Sequence, residues 1–171
     1  MTRNPQSVMT DSSGSGQGDH IENVFEADCL TPRIEICLPL LHIFFTRLHC
    51  HFPFYSKSSF VAATKAHTAS ALLLNSMCAL AARFSDLSML QYQLAALRGE
   101  VFANKAKLML VPLLNIPSYD VVASLLMIAW HELANNHDAG LYVYTGMACR
   151  MALDLGMEKV SQTCFSHHGW N

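Results

Sequence analysis

Seven residues, HELANNH at 131–137, are the nearest approach to a reactive centre in this chain. Two histidines sharing a helix face, with a glutamate as general base, would make a zinc hydrolase site, but the histidines must then lie four residues apart. Position 135 is Asn, and His137, six residues beyond His131, points about 240° away around a helix that turns about 100° per residue. The segment reads as ordinary polarity at a helix end. The second candidate is His49-Cys50-His51, as a Cys/His nucleophilic pair or, with His42, a metal site. Adjacent residues rarely converge on one point, and catalytic dyads are normally assembled from distant segments, so structural roles are expected. No Gly-rich phosphate loop follows a strand, no G-x-S-x-G occurs, and no paired carboxylates lie in an apolar setting. No catalytic, cofactor-binding, metal or DNA-binding residue is therefore assigned, and the chain is not expected to be an enzyme.

Composition narrows the partners. The 171 residues hold 11 Lys+Arg against 13 Asp+Glu, a formal charge of -2, with no basic cluster to meet a phosphate backbone. At 51% hydrophobic residues and a mean hydropathy of +0.23, the length suits one core and not two domains. Cysteines 29, 37, 50, 78, 149 and 164 form no C-x-x-C; Cys37, Cys78 and Cys149 fall in apolar helical stretches and read as reduced core thiols. The first twenty residues lack the apolar run of a secretory signal, so an intracellular address is expected. Two apolar stretches, 66–82 and 121–130, fall short of the roughly 20 apolar residues of a membrane span, being too polar or too short.

What would position these residues is a set of about five helices, an all-α fold. Residues 1–33 are Ser/Gly-rich and polar, a flexible or disordered linker; 34–159 carry helical periodicity; 160–171 read as an unrelated or disordered tail. The first helix is expected to begin at Pro39 and run to about His49, with Leu38, Leu41, Phe45 and Leu48 on one face. Pro53 then opens a loop rich in aromatics that packs back on the helices. A second helix follows a Thr68 or Ser70 cap, with Leu73, Met77, Leu80 and Phe84 as its stripe. A third seam, Leu90, Leu94, Leu97, Val101, Asn104, Leu108 and Val111, is continuous if Gly99 does not break it. The fourth, capped by Ser118, is apolar all round at VVASLLMIAW and is expected at the centre of the domain. The fifth starts at an Asp138 cap, buries Leu141, Tyr144, Ala148, Met151 and Leu155, and ends at Gly156 as a left-handed residue. Inside it lies Gly146, which costs about 1 kcal/mol relative to alanine. A close helix crossing at Gly146 is expected to be the reason. Arg150 and Asp154, four apart, read as a surface pair.

Four of these segments, in order, resemble the fungal-specific transcription factor domain, the regulatory middle homology region of fungal zinc binuclear cluster activators of the xylanolytic-activator type. The first is LLHIFFTRLHCHFPFYSKSSF, with His49, Phe52, Pro53 and Phe60 at the family's positions. The second is Ala-Ala-Arg-Phe-Ser at 81–85, and the third opens with Pro-Ser at 117–118. The most specific is Gly-x-Ala-x-Arg-Met-Ala-x-x-Leu-Gly, met by Gly146, Ala148, Arg150, Met151, Ala152, Leu155 and Gly156. Departures are Cys50 where the family usually has Pro, and Leu141 or Tyr142 where it often has Trp.

The resemblance implies an all-helical regulatory domain and a nuclear role in transcription regulation. Because no cysteine-rich cluster precedes the linker and nothing after Lys159 resembles the family's next helices, the chain is expected to hold the first half of such a domain. Zinc is expected only in the family's cluster, not here, and DNA contact is not expected from this chain. Protein partners or self-association through exposed apolar helix faces are expected instead. A small-molecule effector held among helices two to five is the alternative, and a small membrane-associated helical protein a third reading.

Overall fold

The computed structural model describes residues 24–91, 94–95 and 97–157. The expected tails at 1–23 and 160–171, and the end of the domain at 159, lie outside them. Among the described residues there are six α-helices, α1 Ile34–Arg47, α2 Lys57–Lys65, α3 Ala71–Ala81, α4 Glu100–Leu113, α5 Tyr119–Ala134 and α6 Asp138–Asp154, with short 3₁₀ turns at Ala82–Phe84 and Ser88–Leu90. The all-α class is as expected. The sixth helix is α2, which spacing alone left as loop: only Phe60 and Thr64 of its nine residues are buried, too few to show a period.

The 121–130 segment is central as expected, packed on α3, α4 and α6, and it shares the centre with the still more enclosed α3. Ten of its eleven residues are buried, and α1, α4 and α5 all pack on it. Ser70 caps it, its hydroxyl accepting from the Leu73 amide at 3.5 Å. An enclosed helix must satisfy its own polar side chains. Ser76 Oγ donates to the Leu72 carbonyl at 2.9 Å, and Asn75 Nδ2 donates at 2.8 Å to the carbonyls of Ala71 and Leu30. The stripe predicted for α3 holds at Leu73, Met77 and Leu80 but not at Phe84, which lies in the following 3₁₀ turn and is exposed beneath the Arg47 guanidinium. Helix α5 starts after the predicted Ser118 cap, with Val121 N–H donating to Ser118 Oγ at 3.3 Å, and it keeps Tyr119, Trp130 and Leu133 exposed along one flank.

Two boundaries move. Residues 24–33 are built onto the core: Phe25 bridges to Pro32, its ring meets Phe102 edge-on at 6.0 Å, and Arg33 N–H donates to the Val24 carbonyl. The linker assigned to 1–33 is therefore structured from Val24 onward. That segment also starts α1 early, because Glu26 Oε1 accepts from the orphan Ile34 amide at 3.3 Å and Ile36 and Cys37 bury in the first turns. Pro39 consequently lies inside α1 rather than at its start, on the exposed side, where an interrupted backbone hydrogen bond meets solvent.

The third expected seam fails in register. Helix α4 begins after Gly99, and the face it buries is Phe102, Ala103, Ala106 and Leu110, while Leu94, Leu97, Leu108 and Val111 are exposed. Large aliphatic residues sit outside and alanines inside because α4 approaches α3 closely. A Cβ at Gly99 would collide with the carbonyl oxygen of Ala79. Conversely, a Cβ at Gly146 would meet nothing within 4 Å. The expected crossing at Gly146 is overturned, and the close approach belongs to Gly99.

Helix α6 follows the predicted stripe in part, burying Ala148 and Met151 with Tyr144 and Leu155 packed against the core, whereas Leu141 is only half-buried and lies outside that cluster. His137, not Asp138, is its cap residue. Gly156 ends it at φ 67°, as expected of a left-handed terminator. Cys149, expected in the core, is exposed, whereas Cys37 and Cys78 are buried. No helix among the described residues is long and apolar enough to cross a membrane.

The two glycines give opposite outcomes on substitution. Gly99→Ala is expected to destabilise by about 1–3 kcal/mol through overpacking against α3, and Gly146→Ala to stabilise by up to about 1 kcal/mol through helix propensity alone. Urea unfolding of both variants measures the contrast.

Candidate functional site

The HELANNH segment ends α5, and the structure turns it into a buried polar hub joining four elements. His131 and Glu132 are consecutive, so their side chains diverge by about 100° and serve two arms. On one arm, His131 Nε2 lies 3.4 Å from Glu100 Oε1, at the first residue of α4. Asn135, one turn further along α5, donates to the same Glu100 oxygen at 2.8 Å and stands 3.0 Å from His131 Nε2. Arg83, from the 3₁₀ turn after α3, donates to Asn135 Oδ1 at 3.0 Å and to the Ala134 carbonyl at 3.3 Å. It thereby places a cation at the negative end of α5.

On the other arm, Glu132 is buried and Lys107 Nζ reaches its Oε1 at 2.6 Å from α4; among the described residues no other donor serves that oxygen. His137, at the cap of α6, lies 3.2 Å from Oε2. Glu100 and Lys107 are seven apart, so one face of α4 supplies both arms. Room for Glu132 comes from Gly140 in the first turn of α6, where a Cβ would stand 2.6 Å from Oε2.

Electrostatics follow from burial. The His131 imidazole is held below its ordinary pKa chiefly by desolvation, opposed by the Glu100 charge and hydrogen bond, with Lys107 lowering and Glu132 raising it further. Among the described residues no group of three or more His, Cys, Asp or Glu is placed to hold a metal ion. Burial pushes the Cys37 thiol up to about 11 and Cys78 higher than its ordinary range, which keeps both as thiols. The hub ties helices together.

The residues singled out from the sequence fall into two separate groups. His49 is half-buried just past α1, its ring 5.4 Å from Phe45, and Phe60 of α2 lies 6.2 Å from the same ring. Pro53 is exposed in the turn between these helices. Together they shape the α1–α2 corner. Gly146 and Arg150 lie on the outer side of α6, with Arg150 Nη2 2.9 Å from Asp154 Oδ1 in an exposed i, i+4 pair, and Gly156 ends the helix. No hydrogen bond, ion pair or ring contact among the described residues joins the two groups. Sequence reasoning missed the hub itself. Its available signals were Arg83 in Ala-Ala-Arg-Phe-Ser, and the charged Glu100, Lys107, His131 and Glu132 interrupting apolar helices.

The architecture is a helical domain whose helix ends are joined by the hub. The family model for the fungal-specific transcription factor domain matches residues 41–163. The chain belongs to that family. An uncharacterised transcriptional regulatory protein of Schizosaccharomyces pombe (strain 972) is 26% identical over 125 residues, 72% of this chain and 13% of the relative. The chain thus spans about an eighth of that relative's length. No solved structure matches it.

Two measurements probe the hub. A histidine whose folded pKa is depressed contributes stability that is full above its unfolded value of about 6.5 and is lost as pH falls from there through the folded value. Unfolding free energy is therefore expected to decline below pH 6.5, and His131→Gln to flatten that decline. Lys107→Met is expected to cost about 2 kcal/mol or more by leaving Glu132 buried without its cation, a loss that Glu132→Gln in the same chain partly restores.

Proposed function

We propose that this chain is a non-enzymatic regulatory module that acts in the nucleus through contacts with protein rather than with DNA. The observation that carries the reading is the outer face of α6. This helix packs chiefly against α5, and Tyr142, Gly146, Cys149 and Leu153, spaced four, three and four, form an exposed and largely apolar stripe on its far side. Gly146 in mid-stripe leaves open space where another helix can approach. A stripe of this kind suits a helix from another protein or from a second copy, paired about a two-fold axis so that each stripe meets its equal.

The cations support the same reading. Arg83 and Lys107 are engaged in the hub, Arg98 donates to the Ser85 carbonyl at 2.7 Å, and Arg150 pairs with Asp154. Lys105 and Arg47 lie over the rings of Phe25 and Phe84. With these six engaged within the fold, and 13 acidic residues against 11 Lys+Arg in the chain, the balance favours contact with protein over a phosphate backbone. The absence of C-x-x-C spacing supports a domain that needs no zinc of its own.

A second reading, effector sensing, has a cleft of 340 Å³ in its favour. This cleft lies between residues 26–32 and α1–α3, lined by Glu26, Asp28, Ile34, Cys37, Thr64 and Leu74, outside the expected interior of helices two to five. Asp28 accepts three hydrogen bonds from Leu30 and Thr31, which hold its carboxyl below the usual carboxylate range.

Sedimentation analysis of the purified chain is expected to show reversible self-association that Gly146→Leu weakens while the helical circular dichroism is unchanged. A monomer at all concentrations, or a salt-dependent shift of duplex DNA, counts against the proposal. Stoichiometric zinc by elemental analysis counts against the metal-free part of it.

A further inference from the structure

A second cleft, at the start of α5, has walls of different chemistry. Its volume is 190 Å³, and Phe54, Tyr55, Tyr119, Asp120, Val122, Ala123 and Met157 line it. Three of these residues are aromatic, and Asp120 is the one charged group among them. The rings are held from behind. Phe54 leans on Phe52 at 6.3 Å, which in turn meets Trp130 edge-on at 5.4 Å. Tyr55 packs 5.5 Å from Phe60, and its hydroxyl donates to Asp120 Oδ1 at 2.7 Å. Burial, with the hydrogen bond to Asp120 and its charge, raises the Tyr55 phenol, so it stays a donor.

These walls select among ligands. An anion is rejected by Asp120, although the N-terminus of α5 would otherwise favour one. The positive end of a helix carries only about half a charge, so the full charge of Asp120 outweighs it and leaves the cleft cation-selective. A neutral apolar group would bury the carboxylate without a counter-charge. A primary ammonium is a strongly hydrated point charge that must give up its water to enter, and the one carboxylate of the lining already accepts from Tyr55 at Oδ1. A methylated ammonium brings positive charge without that demand, and aromatic rings attract it through their quadrupoles. The volume lies below the roughly 300–1,000 Å³ of drug-sized sites, which suits a headgroup rather than a whole metabolite.

We propose that the cleft formed by Phe54, Tyr55, Tyr119 and Asp120 binds a methylated ammonium group. The chemistry is common to a methylated lysine side chain and to a free choline-like molecule. The site is independent of the α6 stripe, so either proposal can fail alone.

Calorimetric titration of the 171-residue chain with tetramethylammonium chloride is expected to saturate. Asp120→Asn, which keeps the acceptor for Tyr55 but removes the charge, is expected to weaken binding at least about fivefold, and Tyr119→Ala about threefold or more. Tyr119 is 58% exposed, so that variant keeps the test valid if Asp120→Asn disturbs the fold. Tighter binding of a trimethyl-lysine peptide than of choline, with the unmethylated peptide inert, supports the proposal and identifies a protein ligand. Choline binding as tightly or better supports it and identifies a soluble one. Absence of saturation by any of these cations, equal binding by the neutral carbon isostere 3,3-dimethyl-1-butanol, or binding unchanged in both variants overturns it.

Discussion

Enclosure of α3 is the constraint on which the rest depends. A helix with no solvent-facing side can neither hydrate its polar side chains nor tolerate a gap, so its neighbours must come close and fit. Ala79 and Ala81 keep its surface narrow, and Gly99 lets the chain enter α4 directly against the Ala79 carbonyl. The consequence reaches the N-terminal segment, whose Leu30 carbonyl takes the Asn75 amide proton and so fixes residues 24–33 to the core. Position in this fold is measured from α3 outward.

The hub addresses a different requirement. Taking Glu132 and His131 out of water is costly, and apolar replacements of the same shape often serve stability as well or better. What the polar groups supply is direction. Arg83 fixes where α5 ends, Glu100 fixes how α4 begins beside it, and His137 with Gly140 sets where α6 enters. Apolar contacts alone would let these helix ends slide by a turn at little cost.

Much of the helix pattern was legible because its signals are local. Ser70 and Ser118 mark their helix starts by accepting from amides three residues on, and Gly156 marks an end by its positive φ. The α4 face was misread because hydrophobic size was taken as the sign of burial. Close approach to α3 put Ala103 and Ala106 inside and left Leu108 and Val111 outside, a choice made by the neighbour and not by the segment. For the same reason Gly146 looked like a packing glycine and Gly99 like a possible break. The hub was not legible at all from spacing, since its members are brought together from four elements and no two of them satisfy a motif. The resemblance placed the family correctly while most of its marked residues proved to shape corners and helix ends.

Among the described residues helix α6 packs chiefly on α5, and its amides are protected mainly by that one interface. Hydrogen exchange in such an element proceeds by local opening at a free energy below that of the whole domain, because detaching α6 uncovers Ala148, Met151 and the far side of α5 without disturbing α3. The molecule thus contains two regions of different persistence. An inner body around α3 is expected to exchange on global unfolding, and an outer helix to open first, exposing both its own inner stripe and the α5 flank.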